Sequence, residues 1–145
     1  MQITKIYEWD MGHRIPNHTS QCSNIHGHRY KIEITLEGDI IDNKGASNEG
    51  MIIDFGDIKK ITKEFIDSKL DHGYMGYKGD VVLDLIKKEN FKYIEVDFIP
   101  TAENIAVWIF NELSPKFQNI YGKNLKLHKI KLYETPNNFV SYEGQ

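Results

Sequence analysis

The alternating run from Tyr30 to Gly38 constrains the fold more than any other stretch of the chain. Apolar residues occupy one parity of this run, and lysine, glutamate and threonine occupy the other. This pattern predicts a long β-strand with one buried face. His26 and His28 continue the apolar parity before the run begins, so we expect both imidazoles at the end of the buried face.

The spacing of these histidines indicates a metal site. Side chains two residues apart on a strand point to the same face, and two such imidazoles are suitable zinc donors. His13 offers a third nitrogen upstream. Three protein ligands with one open position are typical of catalytic zinc, whereas structural zinc is closed by four ligands. An exposed polar pair is the alternative interpretation of His26 and His28.

Cys22 decides between these kinds of site. It is the only cysteine of the chain, and it lies four residues before His26 in a run of small polar residues. As a fourth ligand it would close a structural zinc site. Away from the metal it is a candidate nucleophile or base, and a small buried core residue is the third interpretation. One cysteine also excludes an internal disulfide.

Composition places the chain among ordinary globular proteins. Its 145 residues are 40% hydrophobic and 27% charged, and the net charge of −3 shows no basic excess for nucleic-acid binding. The N-terminus lacks the apolar core of a signal peptide, and no window approaches the roughly 18 apolar residues of a membrane span. We expect a soluble cytoplasmic protein that binds neither nucleic acid nor membrane.

Periodicity along the rest of the chain predicts an α+β domain. The predicted strands are 3–9, 30–38, 51–53, 125–134 and 139–142, with a short extended segment within 91–98. The predicted helices are 55–69, 81–89 and 102–121, the first capped by Asp54 and the last by Thr101. Antiparallel strands with helices over one face form such a domain, and its open sheet edges favour oligomerisation.

Two further features are weak by themselves. Asp71 and His72 stand side by side after the first long helix, and we expect no direct bond between adjacent side chains there. Glu134 ends a predicted strand, where an exposed edge residue is the plain interpretation.

Six short motifs in order carry a family resemblance. They are Gly12-His13-Arg14, Cys22-Ser23-Asn24-Ile25-His26-Gly27-His28, Ile52-Ile53-Asp54-Phe55, Leu70-Asp71-His72, Pro100-Thr101-Ala102-Glu103-Asn104 and Tyr133-Glu134-Thr135. Together they resemble the 6-pyruvoyl-tetrahydropterin synthase family over nearly the whole chain. The resemblance implies a single T-fold domain over residues 1–145, with an antiparallel four-stranded sheet and two helices on one face. It also implies homohexamers with active sites at subunit interfaces.

The resemblance assigns roles to individual residues. It implies zinc on His13, His26 and His28, catalysis by Cys22, Asp71 and His72, and pterin binding by Glu134, Glu103 and Thr101. It places Asp71 and His72 beside the thiol of a neighbouring subunit. Arg14 and Arg29 are candidates for contacts to the triphosphate.

The implied substrate is 7,8-dihydroneopterin triphosphate. The gap between Cys22 and His26 resembles the bacterial carboxy enzymes of queuosine biosynthesis, which release acetaldehyde and form 6-carboxytetrahydropterin. The segment 134–142 instead resembles the animal pyruvoyl enzymes, which keep the carbon skeleton. We give the spacing more weight because it lies in the site. The alternative from another functional class is a non-catalytic zinc protein, in which Cys22 is the fourth ligand and closes the zinc site. An insertion over residues 76–99 departs from the family pattern.

Overall fold

The computed structural model describes residues 1–121 and 124–145. Its strands are β1 (Gln2–His13), β2 (His26–Gly38), β3 (Gly73–Tyr77), β4 (Tyr93–Val96), β5 (Leu125–Thr135) and β6 (Asn138–Tyr142). Its α-helices are α1 (Phe55–Phe65), α2 (Val81–Lys88) and α3 (Ala102–Tyr121). A 3-10 turn spans Gln21–Ser23, and a π-helical turn spans Ile66–Leu70.

The strands form one mixed sheet in the order β4-β3-β1-β2-β5-β6. β3 is parallel to both β1 and β4, and the other neighbouring pairs are antiparallel. The prediction of an antiparallel four-stranded sheet with two helices is therefore wrong, although the α+β class is confirmed. The difference lies in the segment 73–96, where α2 provides the crossover that two parallel strands require.

The β1–β2 pairing sets the two faces of the sheet. His13 faces His26, Met11 faces His28 and Trp9 faces Tyr30 across this antiparallel pair. Trp9 and Tyr30 are fully buried and stacked, with ring centroids 5.4 Å apart. The predicted parity of His26 and His28 is confirmed, because both side chains continue the buried row at its end.

The core lies between the sheet and the helices α1 and α3. α3 buries Ile105, Ile109, Leu113 and Phe117, which are spaced by four residues and so form one helix face. Each such side chain contributes about 1.5–3 kcal/mol by leaving water.

Local interactions explain where α1 begins and ends. Asp54 accepts a hydrogen bond from the Gly56 N–H at 2.6 Å, which confirms the predicted cap. The helix predicted to Lys69 changes to the π-helical turn after Phe65. The strand predicted over residues 51–53 is wrong, because Ile52 and Ile53 bury their side chains from an irregular segment.

Within the described residues, no helix is long and apolar enough to cross a membrane.

Candidate metal centre and active site

The ends of β1 and β2 bring three imidazoles together. Among the described residues, His13, His26 and His28 offer ring nitrogens that all lie within 4.8 Å of one another. His13 is buried, and the other two side chains are half-buried. Strand pairing alone creates this cluster, because His13 faces His26 across the pair and His28 shares the parity of His26.

Main-chain carbonyls orient two of these rings. The Nδ1 of His13 lies 2.8 Å from the Pro100 oxygen, and the Nδ1 of His26 lies 2.8 Å from the Asn24 oxygen. A carbonyl oxygen can only accept, so each Nδ1 carries the proton and donates. Each Nε2 therefore keeps its lone pair, which is the arrangement that supports metal ligation by histidine.

Burial favours the neutral, metal-binding form of His13 and His28. It lowers the pKa of His13 to about 4, with further lowering from His26 and His28. Burial also lowers the pKa of His28, and the charge of a protonated His26 acts in the same direction. Metal binding requires neutral imidazoles, so these three donors fit a zinc ion.

Glu134 of β5 lies beside the cluster. Its Oε1 is 3.7 Å from the His13 Nε2 and 4.0 Å from the His28 Nε2, and its side chain is 26% exposed. Burial raises the pKa of Glu134, and the charge of Glu103 raises it further. The interpretation of Glu134 as an exposed edge residue is therefore wrong.

Cys22 lies apart from the histidine cluster. It is half-buried in the 3-10 turn, and its sulfur is not among the atoms that lie within 4.8 Å of one another. Among the described residues, the chain therefore does not form the closed four-ligand site. The Cys22 N–H donates to the Ser20 Oγ at 3.3 Å, and its carbonyl accepts from the Ile15 N–H at 2.9 Å.

Asp71 and His72 form a contact that the sequence interpretation excluded. The Oδ1 of Asp71 lies 3.0 Å from the Nδ1 of His72, so the expectation of no direct bond is wrong. His72 adopts a left-handed backbone conformation with φ 60°, which non-glycine residues rarely adopt. Asp10 holds this turn: its N–H donates to the Asp71 Oδ1, and its carbonyl accepts from the His72 N–H. The His72 side chain is 77% exposed.

Thr101 and Glu103 lie at the start of α3. Thr101 Oγ1 accepts from the Asn104 N–H at 3.4 Å, which confirms its predicted capping role. His13 reaches the same segment through Pro100, so the start of α3 is joined to the histidine cluster.

The two arginines that are candidates for triphosphate contacts differ in how their side chains are bonded within the chain. The Nε and both terminal nitrogens of Arg14 bond Asp80 and the Ser23 carbonyl. Arg29 is 60% exposed and pairs with Asp10 at 2.9 Å.

Comparison with known proteins identifies the family. The sequence profile described as 6-pyruvoyl tetrahydropterin synthase matches residues 2–145. The chain belongs to the 6-pyruvoyl tetrahydropterin synthase family. It is an enzyme of this family, as the sequence predicts.

Relatives of the chain within this family carry two names. A Haemophilus influenzae protein named 6-carboxy-5,6,7,8-tetrahydropterin synthase is 34% identical over 146 residues, covering 98% of each chain. A Pongo abelii protein named 6-pyruvoyl tetrahydrobiopterin synthase is 35% identical over 127 residues, covering 86% of this chain and 72% of its own.

A solved structure supports the family fold. An uncharacterised protein from Wolinella succinogenes superposes with a TM-score of 0.82 at 21% identity, covering 100% of this chain and 98% of its own. The structure of Caenorhabditis elegans 6-pyruvoyl tetrahydropterin synthase also superposes, with a TM-score of 0.69 at 22% identity, covering 100% of this chain and 96% of its own. The T-fold expectation is therefore confirmed, with the sheet extended as described above.

Sequence reasoning about this family member missed contributors to the site. Tyr30 places its hydroxyl 3.4 Å from both ring nitrogens of His13, and Pro100 contributes a main-chain oxygen. Tyr30 shares the strand parity of His28, and this pattern in the sequence could have predicted that Tyr30 lies beside the cluster. A main-chain acceptor leaves no signal in side-chain identity.

Proposed function

We propose that this chain is a zinc-dependent lyase of queuosine biosynthesis that acts on 7,8-dihydroneopterin triphosphate. The products are 6-carboxy-5,6,7,8-tetrahydropterin, acetaldehyde and triphosphate. Water is consumed, and the bond between the first two side-chain carbons and the ester bond to triphosphate both break. The net two-electron oxidation of the side chain balances the two-electron reduction of the ring. Family membership and the carboxy name of a bacterial relative matched over 98% of each chain support this reaction.

The observation that carries the proposal is the cluster of three histidines, which does not include the thiol of Cys22. His13, His26 and His28 supply three nitrogen donors, whereas Cys22 lies outside the group. Three ligands with an open position suit catalytic zinc, and a structural site would need a fourth. Zinc held there would act as a Lewis acid toward the side-chain hydroxyls of the substrate.

Protein groups supply the proton transfers in this proposal. The thiolate of Cys22 removes and returns protons at the side-chain carbons of the substrate. The Asp71–His72 pair assists it, with the Asp71 carboxylate orienting the imidazole. Because His72 is exposed and the Cys22 sulfur is not grouped with the ligand atoms of Asp71 and His72, we assign the pair to the thiol of a neighbouring subunit.

The carboxylate of Glu134 orients the substrate ring. It accepts two N–H donors from the amino-pyrimidine edge of the pterin, a bidentate match that fixes the ring plane. Its position beside the histidines would hold the pterin side chain over the metal. In this proposal Thr101 and Glu103, at the start of α3, supply further contacts to the pterin.

A cytoplasmic homohexamer completes this proposal. The sheet ends in β4 on one side and β6 on the other, so both edges offer unpaired main-chain groups to another subunit. Light scattering of the purified protein would test the assembly.

Product analysis tests the reaction. Zinc-loaded protein is incubated with 7,8-dihydroneopterin triphosphate, and pterins and acetaldehyde are both assayed. Acetaldehyde formed in step with 6-carboxytetrahydropterin is the expected result. No consumption of the substrate, with zinc present, would overturn the proposal.

The pyruvoyl reaction is the second candidate. The segment 134–142 and the similarity to the Pongo abelii relative favour it. It predicts triphosphate release without acetaldehyde, so the same assay separates the two reactions.

A further inference from the structure

The segment 76–99 contributes one buried carboxylate, Asp80, which is linked through Arg14 to the Cys22 turn. Asp80 precedes α2 and accepts from the Val82 N–H at 3.3 Å, so it caps this helix. Its side chain is only 1% exposed. A buried carboxylate needs a cationic partner or further donors, because desolvation destabilises its charged form.

Arg14 is that partner. Its Nε lies 2.9 Å from the Asp80 Oδ2, and its Nη2 lies 2.8 Å from the Oδ1. Two parallel N–H bonds to one carboxylate fix both the distance and the orientation of the guanidinium. These bonds, rather than mere proximity, hold the pKa of Asp80 below its usual range.

The third nitrogen of Arg14 reaches the turn that carries the thiol. Nη1 donates to the Ser23 carbonyl at 2.8 Å. The next residue, Ile15, donates its N–H to the Cys22 carbonyl at 2.9 Å. Consecutive residues after the end of β1 therefore bind two consecutive carbonyls of the Cys22 turn.

We propose that Arg14 and Asp80 are positioning residues that hold the Cys22 turn relative to the histidine cluster. We call the bonds from Arg14 to Asp80 and to the Ser23 carbonyl the clamp. Arg14 follows His13 directly, so the end of β1 carries both a proposed metal ligand and the clamp. Asp80 holds the guanidinium in place. The segment 76–99 thereby influences the position of the Cys22 thiol, which lies outside that segment. This inference rests on the proposed function, in which Cys22 is the catalytic thiol.

The geometry requires an arginine. A planar guanidinium can bond a carboxylate with two nitrogens and a carbonyl with the third, whereas a lysine ammonium is a point charge without this fork. These bonds use three of the five N–H donors of the Arg14 guanidinium, and all three lie within the chain. We therefore assign Arg14 to positioning rather than to the triphosphate.

Two substitutions test the clamp. Arg14→Lys keeps the charge and removes the fork. Asp80→Asn removes the charge and keeps the α2 cap, since asparagine is an equally good capping residue. Glu95→Gln is the matched control, because Glu95 pairs with Lys87 inside the same segment.

The readouts are the alkylation rate of Cys22 by iodoacetamide, zinc content, kcat and KM, all on zinc-loaded protein. Alkylation reports one position, since the chain has a single cysteine. In both variants we expect alkylation to accelerate and kcat to fall by about 10- to 100-fold, the loss typical of a displaced reacting group. Zinc content and KM should stay unchanged, and Glu95→Gln should match the wild type.

Other outcomes overturn the inference. Wild-type alkylation and kcat in a folded Asp80→Asn protein would show that the pair is only structural. A raised KM with unchanged kcat would indicate that Arg14 binds the triphosphate of the substrate instead. Should Arg14→Lys fail to fold, Asp80→Asn decides. Should the wild type not consume the pterin, the proposed function fails, whereas the alkylation rates still test the clamp.

Discussion

The Nδ1 of His13 donates a hydrogen bond of 2.8 Å to the main-chain oxygen of Pro100, across 87 residues of sequence. This bond joins the end of β1 to the segment that enters α3. The proposed metal ligand and the proposed pterin-binding residues Thr101 and Glu103 thus share one anchor. A shift of the α3 start would move the pterin contacts and the ring of His13 together.

Removal of one imidazole should release the metal. We expect His13→Gln to reduce zinc affinity by more than the roughly 10- to 100-fold loss typical of removing a supporting hydrogen bond. The measurement is a competitive chelator titration. His18→Gln is the control, because His18 bonds Ser20 and lies outside the cluster. Unchanged affinity in His13→Gln would contradict the proposed ligand set.

The thiol should be required for turnover but not for metal binding. We expect Cys22→Ala to retain zinc and to lower kcat by roughly 10²- to 10⁴-fold, the usual effect of removing a general acid or base. Zinc analysis and steady-state kinetics measure the two effects separately. Gln21→Ala, which alters an exposed neighbour in the same turn, serves as the control. Loss of zinc from Cys22→Ala would instead support the closed structural site.

Neutralising Glu134 should weaken pterin binding. A hydrogen bond to a charged group contributes about 1.5–3 kcal/mol, so Glu134→Gln should reduce pterin affinity by roughly 10- to 100-fold. Fluorescence titration of zinc-loaded protein with neopterin measures this affinity. Glu143→Gln, at an exposed glutamate, is the comparison. Equal affinity in Glu134→Gln and the wild type would remove Glu134 from the pterin site.

The Arg14–Asp80 pair should make folding stability depend on acid pH. Its hydrogen bonds lower the pKa of Asp80 in the folded state, against about 3.9 in an unfolded chain. The pair therefore stabilises fully above about pH 3.9, and this contribution disappears as the pH falls through the folded pKa. Urea unfolding should show Asp80→Asn to be less stable than the wild type at pH 7, with a smaller difference near pH 3. A constant difference would refute this charge effect.

Truncation in the α3 core should be costly. Ile109 is 1% exposed, so Ile109→Ala should lower the free energy of unfolding by about 2–5 kcal/mol. Ile25 is 62% exposed, and Ile25→Ala should change it by less than about 0.5 kcal/mol. Urea denaturation compares the two variants. Similar losses at both positions would place Ile109 outside the core.

Local patterns predicted the parts of the fold that local interactions determine. The parity of His26 with Tyr30 placed the histidine on the buried face, and Asp54 caps its helix as expected. The run Met51–Ile53 was misinterpreted because apolar residues can be buried without pairing into a sheet.

Non-local and backbone-dependent features could not be predicted in this way. β3 has the sequence Gly-Tyr-Met-Gly-Tyr, whose first four residues are all buried, so it shows no alternation. Its parallel pairing with β1 depends on tertiary structure. The Asp71–His72 contact occurs where His72 has a positive φ, a conformation that non-glycine residues rarely adopt.

The register of β1 on β2 has a consequence for the order of folding. The three histidines meet through neighbouring strands, whereas Pro100 contacts His13, and Asp71 contacts Asp10, from positions much farther along the chain. Pairings close in sequence form faster than distant ones. We therefore expect the ligand set to exist in the nascent hairpin before α3 and the Asp71 turn have docked. Zinc present during refolding would then bind early and act as a nucleus around which the remaining chain folds.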